Sequence, residues 1–243
     1  MIGWASGPGV DRRGGHTETR GGVRARRARR LPDGSNLMND GTEILLVLVD
    51  GFEDLEAVAI LDVFGWTAYR EHIPKATVVT CGLRDPVRSR FGLVVKPHRL
   101  LEEVEPSAYR ALVLPGGFHG YGYEEAYDAR IHRLARKIHG NGGYIATLCV
   151  GVLPIADAGL LEGKMATTYP FSRNHDNIGR LKGCGAVVRD ERVVMDDRII
   201  SCAGPGSSLD VAFLLMECLL GPEAAREVRK YMIYERPGTE PIG

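Results

Sequence analysis

The stretch Ile44-Leu45-Leu46-Val47-Leu48-Val49, followed at once by Asp50-Gly51-Phe52-Glu53-Asp54-Leu55-Glu56, decides the fold class. An apolar run without polar alternation reads as a strand buried on both faces, the signature of a parallel sheet. The segment from Asp54 to about Glu71 reads as a helix. Glu53, Asp54 and Glu56 sit in its first turn, where acidic groups suit the helix dipole.

The same alternation continues down the chain. Ala76–Cys81 and Leu93–Val95 read as strands, with a polar turn around Arg84-Asp85-Pro86 between them. Ala111–Leu114 is a further buried strand, stopped by Pro115-Gly116-Gly117. Tyr127, Ile131, Leu134, Ala135 and Ile138 recur at helical spacing, while Arg130, Arg133, Arg136 and Lys137 fill the opposite, solvated face. Tyr144–Leu148 is the next strand, and Val150–Ala158 the helix after it. Val187–Val188, Val193–Met195 and Ile199–Cys202 fit short strands. Ser207-x-x-Asp210 has the form of a capping box ahead of Val211–Leu220. Strand–helix alternation of this kind predicts an α/β fold, a three-layer sandwich around a mostly parallel sheet.

Composition supports one globular domain. The chain has 243 residues, 44% hydrophobic and 26% charged. Such values exclude coiled coil, collagen and wholesale disorder. No stretch approaches the ~18 uninterrupted apolar residues of a membrane span. Lys+Arg and Asp+Glu each total 31, so net charge gives no argument for a nucleic-acid partner. The charge is uneven, however. Residues 1–40 hold eight Arg against four acidic residues, and the RARRARR run occupies Arg24–Arg30. Residues 1–41 are expected to be a disordered Arg/Gly-rich tail, either solvated or an upstream extension of a chain starting at Met38, in preference to a nucleic-acid or organelle-targeting signal, with at most non-specific affinity for nucleic acid. Residues 42–235 are the folded domain, and 236–243 a short C-terminal tail. The cysteines, at 81, 149, 184, 202 and 218, are odd in number and show no CxxC spacing. That argues against a disulfide framework or a metal site, and for a reducing, cytoplasmic location.

Open α/β sheets place their chemistry beyond the carboxyl ends of the strands. Three segments converge there: Asp50–Glu56, Pro115-Gly116-Gly117, and Leu148-Cys149-Val150. Cys149 stands where a buried strand turns into a helix, so free N–H groups and the dipole favour its thiolate. Cys81, Cys202 and Cys218 lie in apolar context and read as small core hydrophobes. Cys184, between Gly183 and Gly185, reads as a loop thiol. Glu56 lies one turn into an apolar helix, where desolvation raises a carboxyl pKa. Kept protonated, it could donate to a thiolate and shuttle a proton. Gly116 and Gly117 permit close backbone approach, and with the Val150 N–H could form an oxyanion hole. Each feature has a plain alternative: a core cysteine, an acid complementing the dipole, and a turn after a strand.

The set Asp50-Gly51-Phe52-Glu53-Asp54-Leu55-Glu56, Leu114-Pro115-Gly116-Gly117, Ala146-Thr147-Leu148-Cys149-Val150-Gly151 and Gly204-Pro205-Gly206-Ser207-Ser208 resembles the DJ-1/PfpI (ThiJ) superfamily, nearest its DJ-1/YajL branch. The resemblance runs from about Ile44 to Tyr234. It implies a flavodoxin-like fold, a homodimer, an oxidation-sensitive nucleophile at Cys149, a protonated partner carboxyl at Glu56, and oxyanion donors at the Gly117 and Val150 N–H groups. It calls for no cofactor or metal. The activities it implies are glutathione-independent glyoxalase or deglycase chemistry on reactive dicarbonyls in carbonyl and oxidative stress, with a non-enzymatic redox sensor or chaperone as the alternative. Thiazole biosynthesis carries little weight, because no phosphate-cradling motif is present.

Departures from the pattern narrow this. Val150 stands where the protease branch has His, which disfavours a Cys-His protease. His175, in Asn174-His175-Asp176, is the only His after Cys149, so a glutamine amidotransferase is disfavoured as well. Tyr169 replaces the His that many relatives carry in Thr167-Thr168-Tyr169-Pro170, leaving Glu56 to carry the proton traffic. Ala203 replaces an Arg before the Gly204-Pro205-Gly206 turn and weakens any anion site there. Gly116, Tyr169 and His119 are the candidates for the substrate pocket, His119 being expected to be a solvated loop residue.

Overall fold

The computed structural model describes residues 41–234. The expected tails at either end lie outside the described residues, apart from Gly41. Among the described residues, eleven strands and six α-helices follow in chain order: β1 (Thr42–Leu48), α1 (Asp54–Gly65), β2 (Ala76–Gly82), β3 (Val87–Arg88), β4 (Val94–Val95), β5 (Arg99–Leu100), β6 (Ala111–Leu114), α2 (Ala129–Gly140), β7 (Tyr144–Thr147), α3 (Val152–Asp157), β8 (Met165–Ala166), α4 (Asn177–Gly183), β9 (Val187–Val188), β10 (Val193–Asp196), β11 (Ile199–Cys202), α5 (Ser208–Leu220) and α6 (Pro222–Tyr231). Seven strands form one sheet in the order β10-β11-β7-β6-β1-β2-β5. All its pairings are parallel except the β10–β11 hairpin. The pairs β3–β4 and β8–β9 stand apart from it.

The opening apolar run accounts for the three layers. Successive side chains of a strand point to opposite faces. Ile44, Leu46 and Leu48 therefore enter one core with α1, α5 and α6, while Leu45, Val47 and Val49 enter the other with α2 and α3. Every residue of the run is 0–1% exposed. This is the flavodoxin-like α/β sandwich that the sequence predicts.

Several boundaries differ from expectation for local reasons. α1 stops at Gly65 and tightens into a 3₁₀ turn over Trp66–Tyr69. Cys149–Gly151 form a 3₁₀ turn before α3 begins at Val152. The capping box at Ser207 does not form. Pro205–Ser207 is already a 3₁₀ turn running into α5, and Ser207 makes no side-chain cap bond. Ser208 instead donates to the Pro205 carbonyl at 2.7 Å. Leu93–Val95 contributes β4 to a two-residue hairpin outside the main sheet, and β5 takes the sheet edge beside β2. Sequence reading assigned no element to α4 or α6. α4 is started by Asp176, which accepts from the Gly179 N–H at 2.7 Å. α6 buries only Ala224, Ala225 and Val228. No helix among the described residues is long and apolar enough to cross a membrane.

Candidate active site

The three predicted segments meet at the carboxyl ends of β1, β6 and β7, tied by backbone bonds. The Glu53 N–H donates to the Gly116 carbonyl at 2.9 Å, the Phe118 N–H to Gly51 at 2.9 Å, and the Leu148 N–H to Leu114 at 3.2 Å. The Tyr123 hydroxyl, fully buried, donates to the Pro115 carbonyl at 2.5 Å. Asp54 accepts from the Ser89 hydroxyl at 2.6 Å and the Phe91 N–H at 3.0 Å, fastening the β3–β4 hairpin to the start of α1.

Cys149 sits at the junction of β7 and its 3₁₀ turn with φ of 52°. A non-glycine residue in the left-handed region is strained, at a cost of order 1–3 kcal/mol, and such residues cluster at functional sites. The sharp turn lifts the side chain out of the strand, as a nucleophile elbow does. Its carbonyl accepts from the Thr168 hydroxyl at 3.2 Å.

Glu56 lies behind this side chain and is 0% exposed. Glu53 caps α1 by accepting from the Glu56 N–H at 2.8 Å, which sets the start of the helix and the direction of Glu56. Glu56 Oε2 accepts from the Gly116 N–H at 2.6 Å. Oε1 is buried with no hydrogen-bond partner. Burial pushes Glu56 from its ordinary 4.5 up to about 8, against the lowering effect of the Gly116 N–H.

The thiol departs from the expected acidity. Burial pushes Cys149 well above its ordinary value and a charged Glu56 would add to that, while the Val150 N–H opposes. Two anions cannot share this volume, so the pair loses its first proton as one unit. The geometry locates the remaining charge. A neutral carboxyl can donate from Oε1 to sulfur, and the Val150 N–H also favours the thiolate. The arrangement can hold the monoanion of the pair as a Cys149 thiolate beside a neutral Glu56.

Gly116 belongs to this pair and not to the substrate pocket. It is buried, and a Cβ there would lie 2.9 Å from the Cys149 Cβ and 3.0 Å from Glu56 Oε2. Glu56 likewise stands behind the cavity and not in its wall. The cavity, about 510 Å³, is walled by Cys149, Val150, Gly117, His119 and Tyr169 among others. Four of these are shared between β6, β7 and the turns that follow them, and Tyr169 follows β8. The Tyr169 ring packs at the place where Gly204 has no side chain, and its carbonyl accepts from Asn177 Nδ2 at 2.9 Å.

His119 is not the solvated loop residue expected. Its ring lies 4.7 Å from that of His175 and stacks on Tyr127, and burial lowers its pKa while Glu124, 3.4 Å from Nδ1, acts against that. His175, set aside in the sequence, thus joins the cavity wall, as do Arg173, Phe91 and Phe171. The two histidines are 56 positions apart by their numbering (175 − 119), and no local pattern pairs them.

Comparison with known proteins places this geometry in a family. Residues 42–218 match the DJ-1/PfpI family. The chain belongs to the DJ-1/PfpI family. Protein DJ-1alpha of Drosophila melanogaster is 32% identical over 193 residues, covering 78% of this chain and 83% of that protein. Protein DJ-1 homolog A of Arabidopsis thaliana is 30% identical over 81% of this chain, but only 48% of that longer protein is matched. A deglycase of Thermococcus kodakarensis is 27% identical over 68% of this chain and 91% of its own. Among solved structures, Drosophila melanogaster DJ-1beta superposes with a TM-score of 0.70 at 26% identity, covering 80% of this chain and 98% of that one. Oxidised Toxoplasma gondii DJ-1 gives 0.69 at 26%, covering 81% and 100%. In this DJ-1/PfpI chain the family-like motifs are therefore the segments that meet around Cys149.

Proposed function

We propose that the chain is a cysteine-dependent enzyme of the glyoxalase or deglycase type, converting reactive dicarbonyls or their adducts to hydroxy acids in carbonyl and oxidative stress defence. One observation carries the reading: a fully buried carboxyl, unpartnered at Oε1, behind a mostly buried nucleophile that lines a cavity. The Thermococcus kodakarensis relative bearing the name deglycase supports it.

The steps follow from the pair. The Cys149 thiolate attacks the aldehyde carbon and a C–S bond forms. The carbonyl electrons move to oxygen, facing the Gly117 and Val150 N–H groups, and Glu56 protonates that oxygen. Glu56, now a carboxylate, takes the hydrogen of the same carbon as a proton and returns it to the adjacent carbon, while the hydroxyl proton on the first oxygen passes to the second. The first carbon is thereby oxidised to a thioester and its neighbour reduced to a carbinol. Water cleaves the thioester, releasing a 2-hydroxy acid and the thiol. The net change is addition of one water, with no external oxidant. Tyr169 orients the substrate, since a phenol is a poor base near neutral pH.

Leu55 and Val58 on α1 and Leu93 and Val94 at the β3–β4 hairpin are exposed apolar side chains. They suit a homodimer contact. Five free thiols suit a reducing, cytoplasmic setting. A second reading makes Cys149 a redox sensor, oxidised by peroxide to a sulfinate held by Glu56. The similarity to an oxidised Toxoplasma gondii DJ-1 favours it.

Formation of lactate from methylglyoxal by the purified protein tests the enzyme reading. Turnover is expected in the wild type, none in Cys149→Ser, and a loss of about 10²–10⁴-fold in Glu56→Gln. Full activity in either variant, or none in the wild type, overturns it.

A further inference from the structure

We propose that the cavity above Cys149 takes a carbonyl compound bearing a flat aromatic ring: an aryl α-oxoaldehyde in preference to glyoxal or methylglyoxal. The inference rests on the dicarbonyl reading above and names its substrate class. Size is the first argument. Glyoxal is little more than two carbonyls, occupying on the order of 100 Å³ if each heavy atom takes roughly the ~30 Å³ share of a water. The cavity of about 510 Å³ is several times larger and falls in the range of sites for much bulkier ligands.

The lining is the second argument. Phe91, Phe118, Tyr121, Tyr169 and Phe171 all border the cavity. Phe91 meets Phe118 edge-on at 5.9 Å, and Tyr169 meets Phe171 edge-on at 5.9 Å. An edge-on pair covers only one face of one of its two rings, and Phe171 is 77% exposed. Uncovered aromatic faces around a nucleophile are an apolar patch of the kind that marks a ligand site, and aromatic rings pack there edge-on or offset.

Preorganisation is the third. The Arg90 guanidinium lies 3.8 Å over the Tyr121 ring, 5.3 Å over Phe118 and 5.1 Å over Phe91. The Arg90 backbone N–H donates to the Phe52 carbonyl at 2.8 Å, which fixes the base of this side chain beside the first turn of α1. One cation thus holds three rings of the wall in place. The polar side of the cavity, with His119, His175 and Arg173, leaves donors for the carboxylate of the resulting hydroxy acid.

Steady-state formation of mandelate from phenylglyoxal, against lactate from methylglyoxal, tests the inference. The wild type is expected to favour phenylglyoxal by at least tenfold in kcat/KM. Phe171→Ala and Phe118→Ala are expected to lower kcat/KM for phenylglyoxal at least fivefold more than for methylglyoxal. Equal values for the two substrates, or equal losses in the variants, overturn the aromatic preference while leaving the dicarbonyl reading standing. A second readout needs no turnover: protection of Cys149 from iodoacetamide by acetophenone and by acetone. Acetophenone is expected to protect at a concentration at least tenfold lower, and to lose that advantage in Phe171→Ala. If no dicarbonyl is converted, the dicarbonyl reading fails and this protection alone decides whether the cavity holds a ring. Equal protection by the two ketones overturns it.

Discussion

Gly116 sets how closely Glu56 and Cys149 can sit. Any Cβ there would press on both side chains at about 3 Å, at 2.9 Å from the Cys149 Cβ and 3.0 Å from Glu56 Oε2. Gly116→Ala is therefore expected to separate the pair, lowering methylglyoxal turnover at least tenfold while costing about 1–3 kcal/mol of stability, the usual range for overpacking. Turnover assays beside urea unfolding distinguish the two effects, and turnover within twofold of wild type would show that the pair tolerates separation. Cys149 and Glu56 were legible in the sequence because each breaks a local pattern: a thiol at a strand-to-helix junction, a carboxyl on an apolar turn. The role of Gly116 as a spacer behind the cavity was not, since it depends on three segments meeting. The His119–His175 contact was hidden for the same reason.

At the scale of elements, side-chain caps divide into those that form and those that do not. Asp128 accepts from the Arg130 N–H at 2.7 Å at the start of α2. Ser207 makes no such bond at α5. Asp128→Ala is expected to cost about 1 kcal/mol in urea unfolding, and Ser207→Ala only a few tenths. A Ser207→Ala cost equal to that of Asp128→Ala would mean the capping box forms after all. Long, strongly patterned elements were legible: β1 by its unbroken apolar run, α2 by its 3.6-residue stripe. Two-residue strands such as β5 and β8 were not, because pairing with a neighbour defines them and periodicity has no room to show. α6 escaped because its buried face is made of two alanines and a valine, too small to stand out.

For the whole molecule, the burial of Glu56 predicts a pH dependence of stability. Its folded pKa is about 8 against an ordinary 4.5. Below about 4.5 the group is neutral folded and unfolded, and contributes no difference. Above it the unfolded chain releases the proton while the folded chain holds it, so stability falls by up to ~1.4 kcal/mol per pH unit until about pH 8, then levels. The loss totals on the order of a few kcal/mol. Glu56→Gln lacks this group, so its stability advantage over wild type should widen from pH 5 to pH 8 in urea unfolding. Parallel curves across that range would mean Glu56 ionises normally. The layered architecture itself was legible because parallel strands buried on both faces leave helices no place but the two sides of the sheet.

The central claim is that Glu56 stabilises sulfur as the anion of the pair. The pH profile of iodoacetamide alkylation at Cys149, followed by peptide mass mapping in wild type and Glu56→Leu, tests it most directly. Leu fills the site without a donor or a charge. The account predicts a higher thiol pKa in Glu56→Leu, with Cys149 alkylated at least about tenfold more slowly at neutral pH, the worth of one hydrogen bond to a charged group. An unchanged or lower pKa in Glu56→Leu would contradict it, because Glu56 would then be a repelling carboxylate and not a donor.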